Sequence, residues 1–128
     1  MRLLLDTHAL LWWLNGDASL SATARALIAD RDNEAFVSAA TAWEIATKHR
    51  LGKLPSVGAL ALDISHEIEM QGFLSLPITL SHAQDAGSLP FDHRDPFDRM
   101  LIAQALAERM ALVSNEKSFD AAGVVRVW

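Results

Sequence analysis

Leu3-Leu4-Leu5-Asp6-Thr7-His8-Ala9-Leu10-Leu11-Trp12-Trp13-Leu14 carries the decisive reading of this chain. Three aliphatic residues run into an acid, and a second apolar stretch, Ala9 to Leu14, follows at once. A short aliphatic run that meets an acid and then a longer apolar stretch reads as a buried strand ending where a helix begins. In an open parallel α/β sheet that edge is where ligands bind. The pattern returns near the other end, where Ala111-Leu112-Val113 is followed by Ser114, Asn115 and Glu116. Glu44 and the pair Asp95/Asp98 lie at expected helix starts. Four separate segments thus offer carboxylates that one fold can bring together, which points to a divalent-cation site.

Working outward, strand-like runs cover Arg2–Leu5, Ala35–Val37, Phe73–Pro77, Ala111–Val113 and Val124–Val127. Helical patterns lie between them: Leu10 to Leu14, Ala22 to Ala29, Thr41 to Leu51 before Gly52, Leu60 to Met70 before Gly72, Ser81 to Ala86 closed by Gly87, and Pro96 to Met110. In the last, Leu101, Ile102, Ala105 and Leu106 form one apolar face. Ser88 to Arg94 reads as a loop. Strands alternating with helices predict an α/β fold, a central parallel sheet flanked by helices on both faces. No repeat, low-complexity tract or linker interrupts the 128 residues, which predicts a single domain, 1–128.

The composition narrows the chemistry. With 51% hydrophobic residues the chain can build a core, burying roughly two-thirds of the unfolded surface at this size. Cysteine is absent, so disulfides, zinc–thiolate sites and cysteine nucleophiles are excluded. No apolar run reaches the ~20 residues a membrane span needs, and Met1-Arg2-Leu3-Leu4-Leu5-Asp6 is too short and too soon acidic for a signal peptide. A cytoplasmic protein without a membrane is the expectation. The net charge of −5 opposes contact with phosphates. One divalent ion would take it to −3 and two to −1, so a nucleic-acid substrate stays open.

Each acid also has a plainer role. Asp6 suits the N-cap of the helix after it. Thr41-Ala42-Trp43-Glu44 fits a capping box, with Thr41 as cap and Glu44 reaching back. Asp95 suits an N-cap with Pro96 at the first helical position, and Asp98 then lies in the first turn, favourable to the helix dipole. Glu116 reads equally as a solvated loop residue. The functional argument is joint. Two carboxylates ~4 Å apart repel by about 4 kcal/mol at an effective dielectric near 20, so a packed group must protonate or hold a cation. Oxygen donors without Cys or His select magnesium or manganese over zinc.

The five histidines show no ligand spacing, and no nucleophile elbow or phosphate-cradling glycine loop is present. His8 and His93 stand close to the acids. Lys48, Arg50 and Lys53, like Arg94 and Arg99, read as solvated cations or as contacts to an RNA backbone. The all-round apolar Leu10 to Leu14 must be covered on its outer side, which favours a protein partner or a dimer.

Leu4-Leu5-Asp6-Thr7-His8-Ala9-Leu10-Leu11-Trp12 resembles the opening of PIN-domain ribonucleases of the VapC toxin type. Ser38-Ala39-Ala40-Thr41-Ala42-Trp43-Glu44-Ile45 is similar to that family's second motif, and Asp95-Pro96-Phe97-Asp98-Arg99-Met100-Leu101-Ile102-Ala103-Gln104-Ala105 to its third. Leu112-Val113-Ser114-Asn115-Glu116 falls where the fourth lies, and Val124-Val125-Arg126-Val127-Trp128 resembles the family's close. The resemblance implies a PIN fold and a metal-dependent endoribonuclease. It makes Asp6, Glu44 and Asp98 catalytic, metal-binding acids, with Asp95 as an accessory ligand. Glu116 takes the fourth position, where the family more often has Asp. It implies one or two Mg²⁺ or Mn²⁺ ions, 5′-phosphate and 3′-hydroxyl products, an RNA substrate, a VapB-like antitoxin partner and a homodimer. A housekeeping PIN nuclease of RNA maturation and a degenerate, binding-only PIN domain are the alternatives. A receiver module and a haloacid-type phosphatase are disfavoured, because Asp6 has no second acid beside it.

Overall fold

Strand β1 (Arg2–Leu5) carries three leucines with no exposed surface because it is the middle strand of a five-stranded sheet. The computed structural model describes residues 1–54, 57, 60 and 63–128. Beside β1 lie β2 (Glu34–Ser38) and β4 (Ala111–Val113), with β3 (Leu74–Leu76) and β5 (Arg126–Val127) outside them. The order is β3-β2-β1-β4-β5 and every neighbouring pair is parallel. Leu3 faces Ala35 and Ala111 in register, and Leu5 faces Val37 and Val113.

Alternation along these strands feeds two cores. Leu3, Leu5, Val37 and Val113 pack on one face with Leu10 and Leu11 of α1 (Thr7–Asn15) and Ala24 and Ile28 of α2 (Ala22–Ala29). Leu4, Leu76 and Leu112 pack on the other with Leu101, Ile102 and Ala105 of α6 (Pro96–Glu108). Each fully buried aliphatic side chain contributes about 1.5–3 kcal/mol. Helix α3 (Ala39–Arg50) supplies Ala40 to the second core and Ile45 to the first. Helices thus cover both faces, as the sequence predicts. The chain order steps from β1 outward through β2 and β3, then crosses to β4. The switch point therefore lies at the carboxyl ends of β1 and β4, where crevices form in open α/β sheets.

Several boundaries differ from the sequence reading. Helix α1 begins at Thr7 rather than Leu10, and α5 (Leu80–Ser88) runs through Gly87 instead of stopping there. Gly87 is not in the left-handed region, so it does not act as a cap. The expected Leu60 to Met70 helix is described as α4 (Ile64–Met70), capped by Asp63, while residues 61 and 62 lie outside the described residues. Leu106 is 40% exposed, and Ala103 and Gln104 take its place among the buried residues of α6. The outer side of α1 is partly covered by the chain itself: Trp12 meets Trp128 edge-on at 5.8 Å and Trp13 meets Phe73 at 6.2 Å. Among the described residues no helix is long and apolar enough to cross a membrane.

Candidate active site

Asp6 is the residue at which β1 stops and α1 starts. Its backbone N–H donates to Val113 O at 3.1 Å, extending the β1–β4 ladder by one bond. Its Oδ1 accepts from the Ala9 N–H at 2.8 Å, so the expected N-cap is present. Only 5% of Asp6 is exposed. Burial raises its carboxyl pKa above the ordinary 3.8, and the charge of Asp98 adds to the rise. Hydrogen bonds from Ser114 and Ala9 and the His8 side chain work in the opposite direction. Ser114, itself fully buried, comes from the end of β4. The two strand ends at the switch point thus share one acid.

Glu44 lies in the second turn of α3, not at its start. The capping box at Thr41 is not formed, because Ser38 caps the helix. Its Oγ accepts from the Ala40 N–H at 3.0 Å and donates to Gln104 Oε1 at 2.5 Å. Thr41 is instead a fully buried helical residue. Glu44, 3% exposed, would be a costly buried charge if left alone. Two neighbours hold it: Thr7 Oγ1 donates to Oε1 at 2.6 Å, and Lys48 Nζ donates to Oε2. Lys48 is therefore an ion-pair partner rather than a solvated cation.

Asp95 and Asp98 open α6 as expected. Asp95 Oδ1 accepts from the N–H groups of Phe97, at 2.9 Å, and Asp98, at 3.2 Å, with Pro96 at the first helical position. Asp98 Oδ2 pairs with His93 Nε2 at 2.8 Å. Partial burial raises the Asp98 pKa, His93 opposes the rise, and Asp95 and Glu44 contribute to it. The loop carrying His93 is pinned by Arg99. Its guanidinium donates to the carbonyls of Ala86, Leu89, Phe91 and His93 at 2.6 to 3.1 Å, with a longer contact to Gly87. Arg99 is thus spent on backbone, and neither reading made from sequence describes it.

Asp6, Glu44 and the pair Asp95/Asp98 come from three places in the fold, and fields linking them shape the titration of Asp6, Asp98 and Lys48. Glu116 is not among the main charges acting on Asp6 or Asp98. It is exposed at the cap position of the 3-10 helix Lys117–Ala122, where its Oε2 accepts from Ser118 Oγ at 3.3 Å. Among the described residues no three Asp, Glu or His side chains stand at the spacing of a preformed metal cage. The arrangement is a set of mutually repelling carboxylates, two buried (Asp6 and Glu44) and two half-buried (Asp95 and Asp98), with Thr7, Ser114, His93 and Lys48 as their side-chain partners. The Lys48 contact was legible in principle, since Glu44 and Lys48 are four residues apart on one helix. Thr7 gave no such signal.

An apolar cavity of about 190 Å³ is lined by Trp43, Phe97, Ile78 and Met100, and none of the four acids lines it. Trp43 is 60% exposed and meets Phe97 edge-on at 4.8 Å. His82 is remote in role. It closes the capping box of α5 with Thr79 and pairs with Glu108 at 2.9 Å.

The family model of the PIN domain matches residues 3–125. Over 62 residues the chain is 39% identical to Ribonuclease VapC16 of Mycobacterium tuberculosis. That match covers 48% of this chain and 43% of the relative, so it spans less than half of the relative's length. Among solved structures, VapBC2 from Rickettsia felis, bound to a DNA fragment from their promoter, aligns at a TM-score of 0.71 and 16% identity, covering 99% of this chain and 98% of the other. Mycobacterium tuberculosis VapC20, a Sarcin-Ricin loop cleaving toxin, aligns at 0.67 and 20% identity, covering 98% of each chain. At these identities the two structural likenesses speak to the fold.

Proposed function

This chain belongs to the PIN-domain family, and we propose that it is a metal-dependent endoribonuclease acting as the toxin of a type II toxin–antitoxin pair. One observation supports the reading: Thr7, next to Asp6 at the end of β1, bonds Glu44 of α3, and burial and neighbouring carboxylates push Asp6 and Asp98 toward protonation. Such a group gains most from a divalent cation, and its oxygen-only donors suit magnesium or manganese. Asp6, Glu44 and Asp98 would hold the ion, with Asp95 as accessory and Glu116 at the outer position. When bound, the ion supplies a lowered water pKa and charge stabilisation on a phosphodiester.

The chain's own residues do the positioning. Thr7 fixes one oxygen of Glu44, Ser114 and the Ala9 N–H fix Asp6, and His93 fixes Asp98. Trp43 offers an aromatic face beside the acids, on which an unstacked base can lie. A VapB-like antitoxin is the partner this reading entails, and a homodimer through the half-exposed Trp12 and Trp13 fits it. The named function of Ribonuclease VapC16 supports an RNA substrate.

The test is cleavage of a mixed RNA pool by protein purified free of partners, with magnesium, manganese or EDTA, beside the variant Asp6→Asn. Discrete fragments that need both metal and Asp6 are the expected result. Fragments that survive EDTA or the substitution would remove the metal-site reading. No cleavage by folded protein in any condition would favour a binding-only domain.

A further inference from the structure

Lys48 follows Glu44 by one helical turn, which stacks its ammonium over that carboxylate. Lys48 Nζ takes Oε2 and Thr7 Oγ1 takes Oε1, so both oxygens of Glu44 are already engaged. The ammonium also lies in the fields of Asp95 and Asp98. The two partners differ in freedom. The Glu44 side chain is 4% exposed and fixed within α3, whereas the Lys48 side chain is 32% exposed and reaches in from solvent. Lys48 can swing out along its flexible stem, and Glu44 cannot follow it. An ammonium and a divalent cation cannot share one carboxylate oxygen without strong mutual repulsion.

We propose that Lys48 is a built-in counter-ion that competes with the divalent cation for Glu44 Oε2 and so sets the cation concentration at which the site loads. This rests on the metal-site reading above. In the metal-free chain the lysine neutralises part of the acid cluster. When the cation arrives, Lys48 must give up the oxygen and turn to solvent. Its ion pair is therefore subtracted from the binding free energy of the cation.

The experiment is a Mn²⁺ titration, followed by the paramagnetic resonance signal of free manganese, on wild type, Lys48→Gln, Lys48→Arg and Asp6→Asn. Lys48→Gln should bind Mn²⁺ roughly fivefold more tightly, the size expected for losing a half-exposed ion pair. Lys48→Arg keeps the charge and should stay within about twofold of wild type. In EDTA, Lys48→Gln should melt below wild type, and saturating Mn²⁺ should close the gap. Equal or weaker binding in folded Lys48→Gln, with wild type binding normally, would overturn the competition and leave Lys48 as a prop for Glu44. No binding by wild type, or binding unaffected by Asp6→Asn, would overturn the metal-site reading and this inference with it.

Discussion

Thr7 Oγ1 donates to Glu44 Oε1 at 2.6 Å across 37 positions of sequence, with both residues buried. The bond ties the first residue of α1 to the second turn of α3. It places the Glu44 carboxylate at the same sheet edge as Asp6. The hydroxyl also stands 3.4 Å from Thr41 Oγ1.

Thr7→Val keeps the shape of this side chain and deletes the donor. A buried carboxylate oxygen then loses its partner, at a cost of about 1–3 kcal/mol. The expected outcome is a fall of that size in unfolding free energy, measured in urea. RNA cleavage should fall more steeply than stability, because Glu44 is no longer held. A variant as stable and active as wild type would show that Lys48 alone positions Glu44.

The raised pKa values of Asp6 and Asp98 give the metal-free protein a defined pH dependence. A raised folded-state value means that the folded chain binds the proton more tightly than the unfolded one. The resulting stability is fully present below the ordinary value of 3.8 and is lost as pH rises through the raised value. In EDTA, Asp6→Asn should therefore gain on wild type most at neutral pH, and the gain should shrink as pH falls through the raised value. Asn retains the cap to Ala9. Thermal melts of the two proteins across this range check it, and a difference independent of pH would argue that Asp6 is not held in a costly charged state.

Arg99→Lys keeps the charge but cannot reproduce a fork that reaches the carbonyls of Ala86, Leu89, Phe91 and His93. Stability should fall by about 2–3 kcal/mol, on the scale of one charge-assisted hydrogen bond. Amide hydrogen exchange across residues 89–94 should quicken while β1 and β4 stay protected. Uniform quickening would mean that Arg99 supports the whole fold rather than this loop.

Glu116→Asp should retain or raise nuclease activity. The Glu116 side chain is exposed and accepts from Ser118 Oγ, while its backbone N–H donates to Ser114 Oγ, a bond that the substitution leaves in place. Initial cleavage rates at saturating Mg²⁺ decide the matter. A complete loss would show that the longer side chain is needed to reach the site.

Much of this architecture was legible because it rests on local chemistry. Leu3-Leu4-Leu5 before Asp6 marks a buried strand that ends in a cap, and Asp95-Pro96 marks a helix start; both stand where expected. Glu44 was harder. Thr41 and Glu44 have capping-box spacing, yet Ser38 precedes them and takes the cap from the end of β2. Two good N-caps three residues apart are not ranked by propensity alone, and the choice is made by where the strand stops.

The amino-acid order by itself determined the alternation of strands and helices, the two apolar faces of the sheet and the acids at their ends. These follow from periodicity and capping, which act over a few residues. Only the tertiary structure decided what each polar group does. Thr7 holds Glu44, Lys48 neutralises it, Arg99 spends its charge on a loop, and the Glu116 side chain stays exposed against Ser118. The reason is physical: a buried charge or donor takes whichever partner packing brings within hydrogen-bond reach, and that partner can be dozens of residues away.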